Sequence, residues 1–74
     1  MAVVTDRIKQ LDGRDNRLSI QLANNEYFAL RKSHTNYDTL AAMVLVAATN
    51  QFTITIRSSD TNNDVEYILI GWPQ

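Results

Sequence analysis

The stretch from Thr35 to Arg57 constrains this chain most. Its first part, from Leu40 to Ala48, is apolar on every side of a helix, and Thr49-Asn50-Gln51 leads from it into the alternating run Phe52-Thr53-Ile54-Thr55-Ile56-Arg57. A helix without a polar face has to be covered all round. One small sheet covers one side of it, so the other side is expected to meet neighbouring copies of the same chain. Leu45 and Ile54 are the expected core of the single subunit. Leu40, Met43, Val44 and Val46 on the helix, with Ile68 and Ile70 near the C-terminus, are the expected contacts between subunits.

Size points the same way. A chain of 74 residues makes one domain, 1–74, near the length at which only about 60% of the unfolded surface is buried and a lone core is marginal. Cysteine is absent and there is one histidine, so neither a disulfide nor a structural zinc site is expected to staple it. Association of subunits is the remaining route. The formal net charge of −1 offers no overall electrostatic footprint for a phosphate backbone.

The opening Met1-Ala2-Val3-Val4-Thr5-Asp6 has no basic start, apolar stretch or cleavage site of a secretory signal. The compartment is left open: cytoplasmic if the chain is complete as given, secreted or periplasmic if it is a mature fragment. The apolar run of the helix falls short of the roughly 20 residues that span a bilayer.

Around the helix the chain reads as strands and turns. Arg7 to Leu11 alternates poorly, but Ile8 between charged neighbours suits a strand, and Asp12-Gly13-Arg14-Asp15-Asn16 supplies a turn. Leu18, Ile20 and Leu22 alternate with Arg17, Ser19 and Gln21, the pattern of a half-buried strand. Asn24-Asn25 turns the chain into a third strand, Tyr27 to Leu30. Thr35 with Asp38 has the spacing of a capping box, with Ser33 or Asn36 as alternative caps, and Asn50 is expected to close the helix in the left-handed conformation. A fourth strand carries Phe52, Ile54 and Ile56 on one face. Ser58 to Asp64 is a polar loop, and Val65 to Trp72, apolar on both faces, is the fifth strand.

Three strands, a helix and two strands in so short a chain predict an all-β domain with one helix, the OB-fold, a five-stranded Greek-key β-barrel. From Asp12 to Ile70 the sequence also resembles the receptor-binding B subunit of Shiga-type toxins. The likeness rests on Asp15, Leu18-Ser19-Ile20-Gln21-Leu22, Glu26-Tyr27-Phe28, the apolar helix and Phe52 to Arg57 with its following polar loop. The stretch Ser33 to Leu40 is similar to one recurring in small bacterial proteins, many of them secreted. The toxin resemblance implies a ring of five OB-folds that binds cell-surface glycans and carries a separate effector subunit. It implies a sugar site at Asp15, Ser19, Glu26 and Phe28, beside Asn62 and Asn63. Acid and amide groups there would bond sugar hydroxyls while a ring covers an apolar sugar face. The toxins' disulfide has no counterpart here, and no tryptophan precedes the helix, where His34 or Tyr37 stands instead.

Other chemistry finds little support. His34 has no oriented partner in the sequence, and Ser33, His34 and Asp38 lie too close along the chain for a triad. Asp60, Asn62 and Asp64 imitate the opening of a calcium loop, but Val65 stands where glycine is required and Gly71 where the bidentate Glu should be. With Gly13 and Gly71 as the two glycines there is no phosphate-cradling loop. The expectation is a protein that is not an enzyme and uses no metal or cofactor. Its rival readings are an OB-fold for single-stranded nucleic acid, with Arg7, Lys9, Arg17 and Arg31 on the backbone and Tyr27 stacking a base, or a structural oligomer with no small ligand.

Overall fold

The computed structural model describes residues 2–71 and orders them as β1 (Ala2–Gly13), β2 (Arg17–Leu22), β3 (Tyr27–Arg31), α1 (Tyr37–Asn50), β4 (Thr53–Ser58) and β5 (Val65–Ile70). Trp72, expected to extend the last strand, lies outside the described residues. The five strands form one antiparallel sheet in the order β3-β2-β1-β4-β5.

The ladders do not close this sheet into the expected barrel. One edge strand, β3, meets only the loop before the other, through an isolated parallel bridge between Ala29 and Asp64. The loop before β5 is folded on itself: the Ser59 N–H donates to the Asp64 carbonyl at 2.9 Å, and the Asp64 N–H to Asn62 Oδ1 at 2.8 Å. Held this way, the loop presents its end to β3 in place of a full strand.

β1 is longer than the sequence suggests because it serves two partners. Residues 2–7 pair with β4, and Ile8 to Gly13 pair with β2, with a register irregularity between Ile8 and Gln10. A bulge inserts one residue and reverses the alternation after it. Ile8 and Leu11, three apart, therefore both pack toward the core, which a period of two would forbid.

Helix α1 lies against the inner face of the sheet through Leu40, Val44 and Ala47, one stripe at i, i+4, i+7. They meet Ile8, Ile20, Leu22, Phe28, Leu30, Ile54, Ile56, Val65 and Ile68 in one buried cluster. Leu40, Val44 and Ile68, expected at a subunit contact, are thus spent in the subunit's own core, whereas Met43, Val46 and Ile70 stay partly exposed. Leu45 corrects the opposite expectation: one step round the helix from Val44, it faces outward and is 55% exposed.

The helix ends also differ in detail. Asn36 is the N-cap and makes no side-chain capping bond, so the Thr35–Asp38 box does not form; the Asn36 carbonyl accepts the Leu40 N–H at 2.9 Å. At the other end Gln51, not Asn50, takes the left-handed conformation, with φ 56°. Asn50 stays helical, its side-chain amide donating back to the Val46 carbonyl at 2.9 Å.

Ile54→Ala should cost about 2–5 kcal/mol, because it empties a fully buried site. Leu45→Ala should cost under about 1 kcal/mol in the isolated subunit. Chemical denaturation of a dilute sample separates the two, and equal losses would mean that the outer helix face is covered within one chain.

Candidate functional site

The polar face of the sheet is set by strand parity. With Ile20, Leu22, Phe28 and Leu30 turned inward, Arg17, Ser19, Gln21, Tyr27, Ala29 and Arg31 point outward from β2 and β3. Cross-strand register aligns them in rows. Gln10, Gln21 and Tyr27 form one row across β1, β2 and β3, and Asp12, Ser19 and Ala29 form the next.

The loop borders these rows on the β3 side. The Ala29 N–H donates to the Asn63 carbonyl at 2.9 Å, and Asn63 Nδ2 donates to the Tyr27 carbonyl at 2.8 Å. Arg31 Nε adds an ion pair to Asp64 Oδ1 at 3.0 Å. Farther along, Arg14 pairs with Asp12 at 2.8 Å, and Arg17 Nε donates to Ser19 Oγ at 3.4 Å. Arg14 and Arg31 are thus each matched by a carboxylate. The face offers amides, a hydroxyl, the guanidinium of Arg17 and, among the described residues, one ring, Tyr27, which is 56% exposed.

The residues expected to bind a sugar are not gathered in one place. Asp15 lies in the turn before β2 and Glu26 in the turn after it, at opposite ends of the β2–β3 hairpin. At roughly 3.3 Å per residue the strand between them is about 17 Å long. Ser19 sits between them on the outer face. Phe28 cannot cover a sugar: it is 2% exposed and belongs to the core. Its outward neighbour Tyr27 has the position the ring requires. Asn62 and Asn63 are exposed in the loop beside β3, and Asn62 Oδ1 accepts both the Ser59 hydroxyl and the Asp64 N–H. Glu26, Tyr27 and Asn63 are the close group.

The outward position of Gln21 was legible in the alternation of β2, but that of Gln10 was not, because β1's alternation is broken by its bulge and the row shows only once the register is known. Phe28 was readable in principle. Leu30 two residues on, paired with Leu18, fixes that side of β3 as the inner one.

His34 is a connector. Its Nδ1 accepts the Asn36 N–H at 3.0 Å, and its Nε2 lies 2.8 Å from the Glu66 carbonyl of β5. A backbone N–H only donates, so Nδ1 is the bare nitrogen and Nε2 carries the proton it gives to Glu66. The imidazole therefore pins the start of α1 to the edge strand. On the far side of β5, the Arg57 guanidinium stands 5.9 Å over the Tyr67 ring. Its Nε lies 3.2 Å from Glu66 Oε1, an ion-pair distance at an angle that makes no hydrogen bond. Tyr67 first, then the nearby Glu66 and Asp60 carboxylates, hold Arg57 above its ordinary pKa against the opposing effect of desolvation.

Among the described residues no group of three or more His, Cys, Asp or Glu side chains could hold a metal ion, and no helix is long and apolar enough to cross a membrane. Set beside protein families, curated proteins and solved structures, the chain matches none of them.

Asn63→Ala should lower stability by about 1 kcal/mol and speed proteolytic cutting between residues 59 and 64, since the amide ties the loop to β3. Nitrogen NMR of the imidazole at pH 8 should show the proton on Nε2. A proton on Nδ1 would mean that the His34 connection is not made.

Proposed function

We propose that this protein is a non-catalytic binding module that works as a ring of identical OB-type subunits, five by its resemblance to the toxin B subunits. The observation that carries this reading is the pair of unlike apolar surfaces on one small domain. One is the outer helix face, with Leu45 and Val46 exposed; the other, on the opposite side of the sheet, has Val3, Tyr67 and Leu69. A contact between two different patches is head-to-tail, and head-to-tail contacts close into rings when the rotation allows. The element order and the bridge from β3 to the loop before β5 support a partly open OB-type barrel.

The ligand reading rests on the outer face of β2 and β3. Tyr27 is a platform for an apolar sugar face, with Gln10, Gln21, Glu26 and Asn63 around it to bond hydroxyls. Such a shallow site binds one glycan weakly, and repetition round a ring raises avidity by roughly 10² to 10⁴ when several sites engage together. A separate effector subunit belongs to this reading as cargo of the ring. The nucleic-acid alternative draws on the same face, since Arg17, Arg31 and Tyr27 all point outward there. Against it, Arg31 is already paired with Asp64.

Light scattering after size exclusion should find an oligomer at micromolar concentration, and Val46→Asp or Leu69→Asp should each give monomers. Mixing the two variants should give dimers and nothing larger, because one intact pair of faces remains. A wild-type monomer at tens of micromolar would refute the ring.

On dense glycan surfaces, binding should survive high salt and vanish in Tyr27→Ala with the melting curve unchanged. Free monosaccharide should bind almost undetectably. Blank glycan surfaces, together with oligonucleotide binding that fades steeply with salt, would favour the nucleic-acid reading.

A further inference from the structure

The outer rows of β2 and β3 run past Ser19 and Ala29 to a pair of guanidiniums. Arg17 stands directly opposite Arg31 across the two strands, and like charges in that position work against the sheet. Asp64 takes Arg31 at 3.0 Å, and Asp12 takes Arg14 at 2.8 Å. Arg17 is left over. Among the described residues no carboxylate lies within ion-pair distance of it, the exposed Asp15 two residues earlier included. Its side chain makes two hydrogen bonds there, Nε to Ser19 Oγ at 3.4 Å and Nη1 to Asn16 Oδ1 at 3.5 Å, both longer than the usual range. A half-buried guanidinium that faces its like, with no counter-charge from the chain, is unfavourable to keep.

The relief around Arg17 suits a ligand that brings the missing charge. Ser19 and Ala29 are short side chains in the row between Gln21 with Tyr27 on one side and Arg17 with Arg31 on the other, so the surface dips there. Tyr27 and Arg31, four residues apart along β3, are separated by about 13 Å. Asn63 and Asp64 border the dip along β3. The contact of Arg17 Nε with Ser19 holds the guanidinium at the edge of the dip, where its planar fork can give a carboxylate two parallel hydrogen bonds. We propose that the glycan taken by this face is acidic: a sugar carboxylate seats in the fork of Arg17, over Ser19 and Ala29, while a neighbouring ring of the same saccharide lies on Tyr27. The inference rests on the sugar-binding reading above and adds the class of sugar. The ligand's carboxylate supplies the counter-charge and relieves the opposition of Arg17 to Arg31. Asp12 and Asp64, the carboxylates bordering the dip, are each already neutralised by an arginine.

Dense surfaces of a glucuronic-acid-terminated disaccharide, of its glucuronamide form and of its glucose form separate charge from shape. A sialylated surface and its amide form test the second common source of a sugar carboxylate. The protein should hold at least one carboxylated surface about tenfold more tightly than the matching amide, since charge-assisted bidentate bonds are the stronger kind. Arg17→Gln should erase that preference and keep the weaker neutral binding, and Arg17→Lys, which keeps the charge without the fork, should restore only part of it. The melting temperature of Arg17→Gln should not fall, because the substitution removes a like charge from opposite Arg31. A marked fall would make Arg17 a support of the fold and overturn the proposal. One guanidinium meets one carboxylate, so salt should trim the preference while Tyr27 and the amides hold the rest. Equal binding to both carboxylated surfaces and their amides would overturn the acidic-sugar assignment and leave the glycan reading standing. Blank surfaces of every kind would remove both. Oligonucleotide binding that fades steeply with salt and is lost in Arg17→Gln, with no preference for a carboxylate, would pass Arg17 to the nucleic-acid reading.

Discussion

The structure depends on one mismatch between an apolar helix and the surface available to cover it. Leu40, Val44 and Ala47 fill the inner face of the sheet, and burial of each large aliphatic side chain contributes about 1.5–3 kcal/mol toward a fold with few other resources. The sheet has no second face to give, because its outer side is turned away from the helix. Leu45, Val46, Ala42 and Met43 remain on the other flank of α1. The same stripe that stabilises the subunit thus fixes which part of the helix is left to the surroundings.

The rest of the molecule is organised by how its two sheet edges are dealt with. An open edge is a template for unwanted pairing. Here β3 is partly covered by Asn63 and Asp64, which supply a backbone carbonyl, a side-chain amide and a carboxylate. That arrangement borders the row of Gln10, Gln21 and Tyr27, so the loop that protects an edge also shapes the candidate ligand face. On β5 the Glu66 carbonyl accepts from the His34 imidazole, tying the edge strand to the helix start. Edge protection and site construction are done by the same residues.

Much of this was legible in the residues, and the parts that were not have definite causes. The clean alternation of Leu18 to Leu22 and of Phe52 to Arg57 fixed both faces of β2 and β4, and turn chemistry marked the connections. Irregular pairing was the first obstacle: a bulge in β1 makes a long central strand look like a short, doubtful one. Competition at the helix end was the second, where the Asn50 side chain finds a helical carbonyl and the left-handed position passes to Gln51. The third was parity between adjacent aromatic residues. Either Tyr27 or Phe28 could supply a ring to a ligand by composition, and the inward partners of Phe28 decide the matter. On the helix, an all-apolar sequence has no phase of its own, so the choice of Val44 over Leu45 for the interior belongs to the packing.

The double service of β1 has a consequence for how the chain is made. Its first half pairs with β4, matching Val3 with Arg57 and Arg7 with Thr53, so these partners are separated by some of the longest loops the chain can form. The hairpins β2–β3 and β4–β5 close locally, and long-range pairing is the slow part of folding. During synthesis residues 2–7 can therefore find their partner only once Thr53–Ser58 has been made, long after Ile8 to Gly13 could meet β2. Val3 and Val4 lie on that segment. The half of β1 that is made earliest is the half whose partner is made latest.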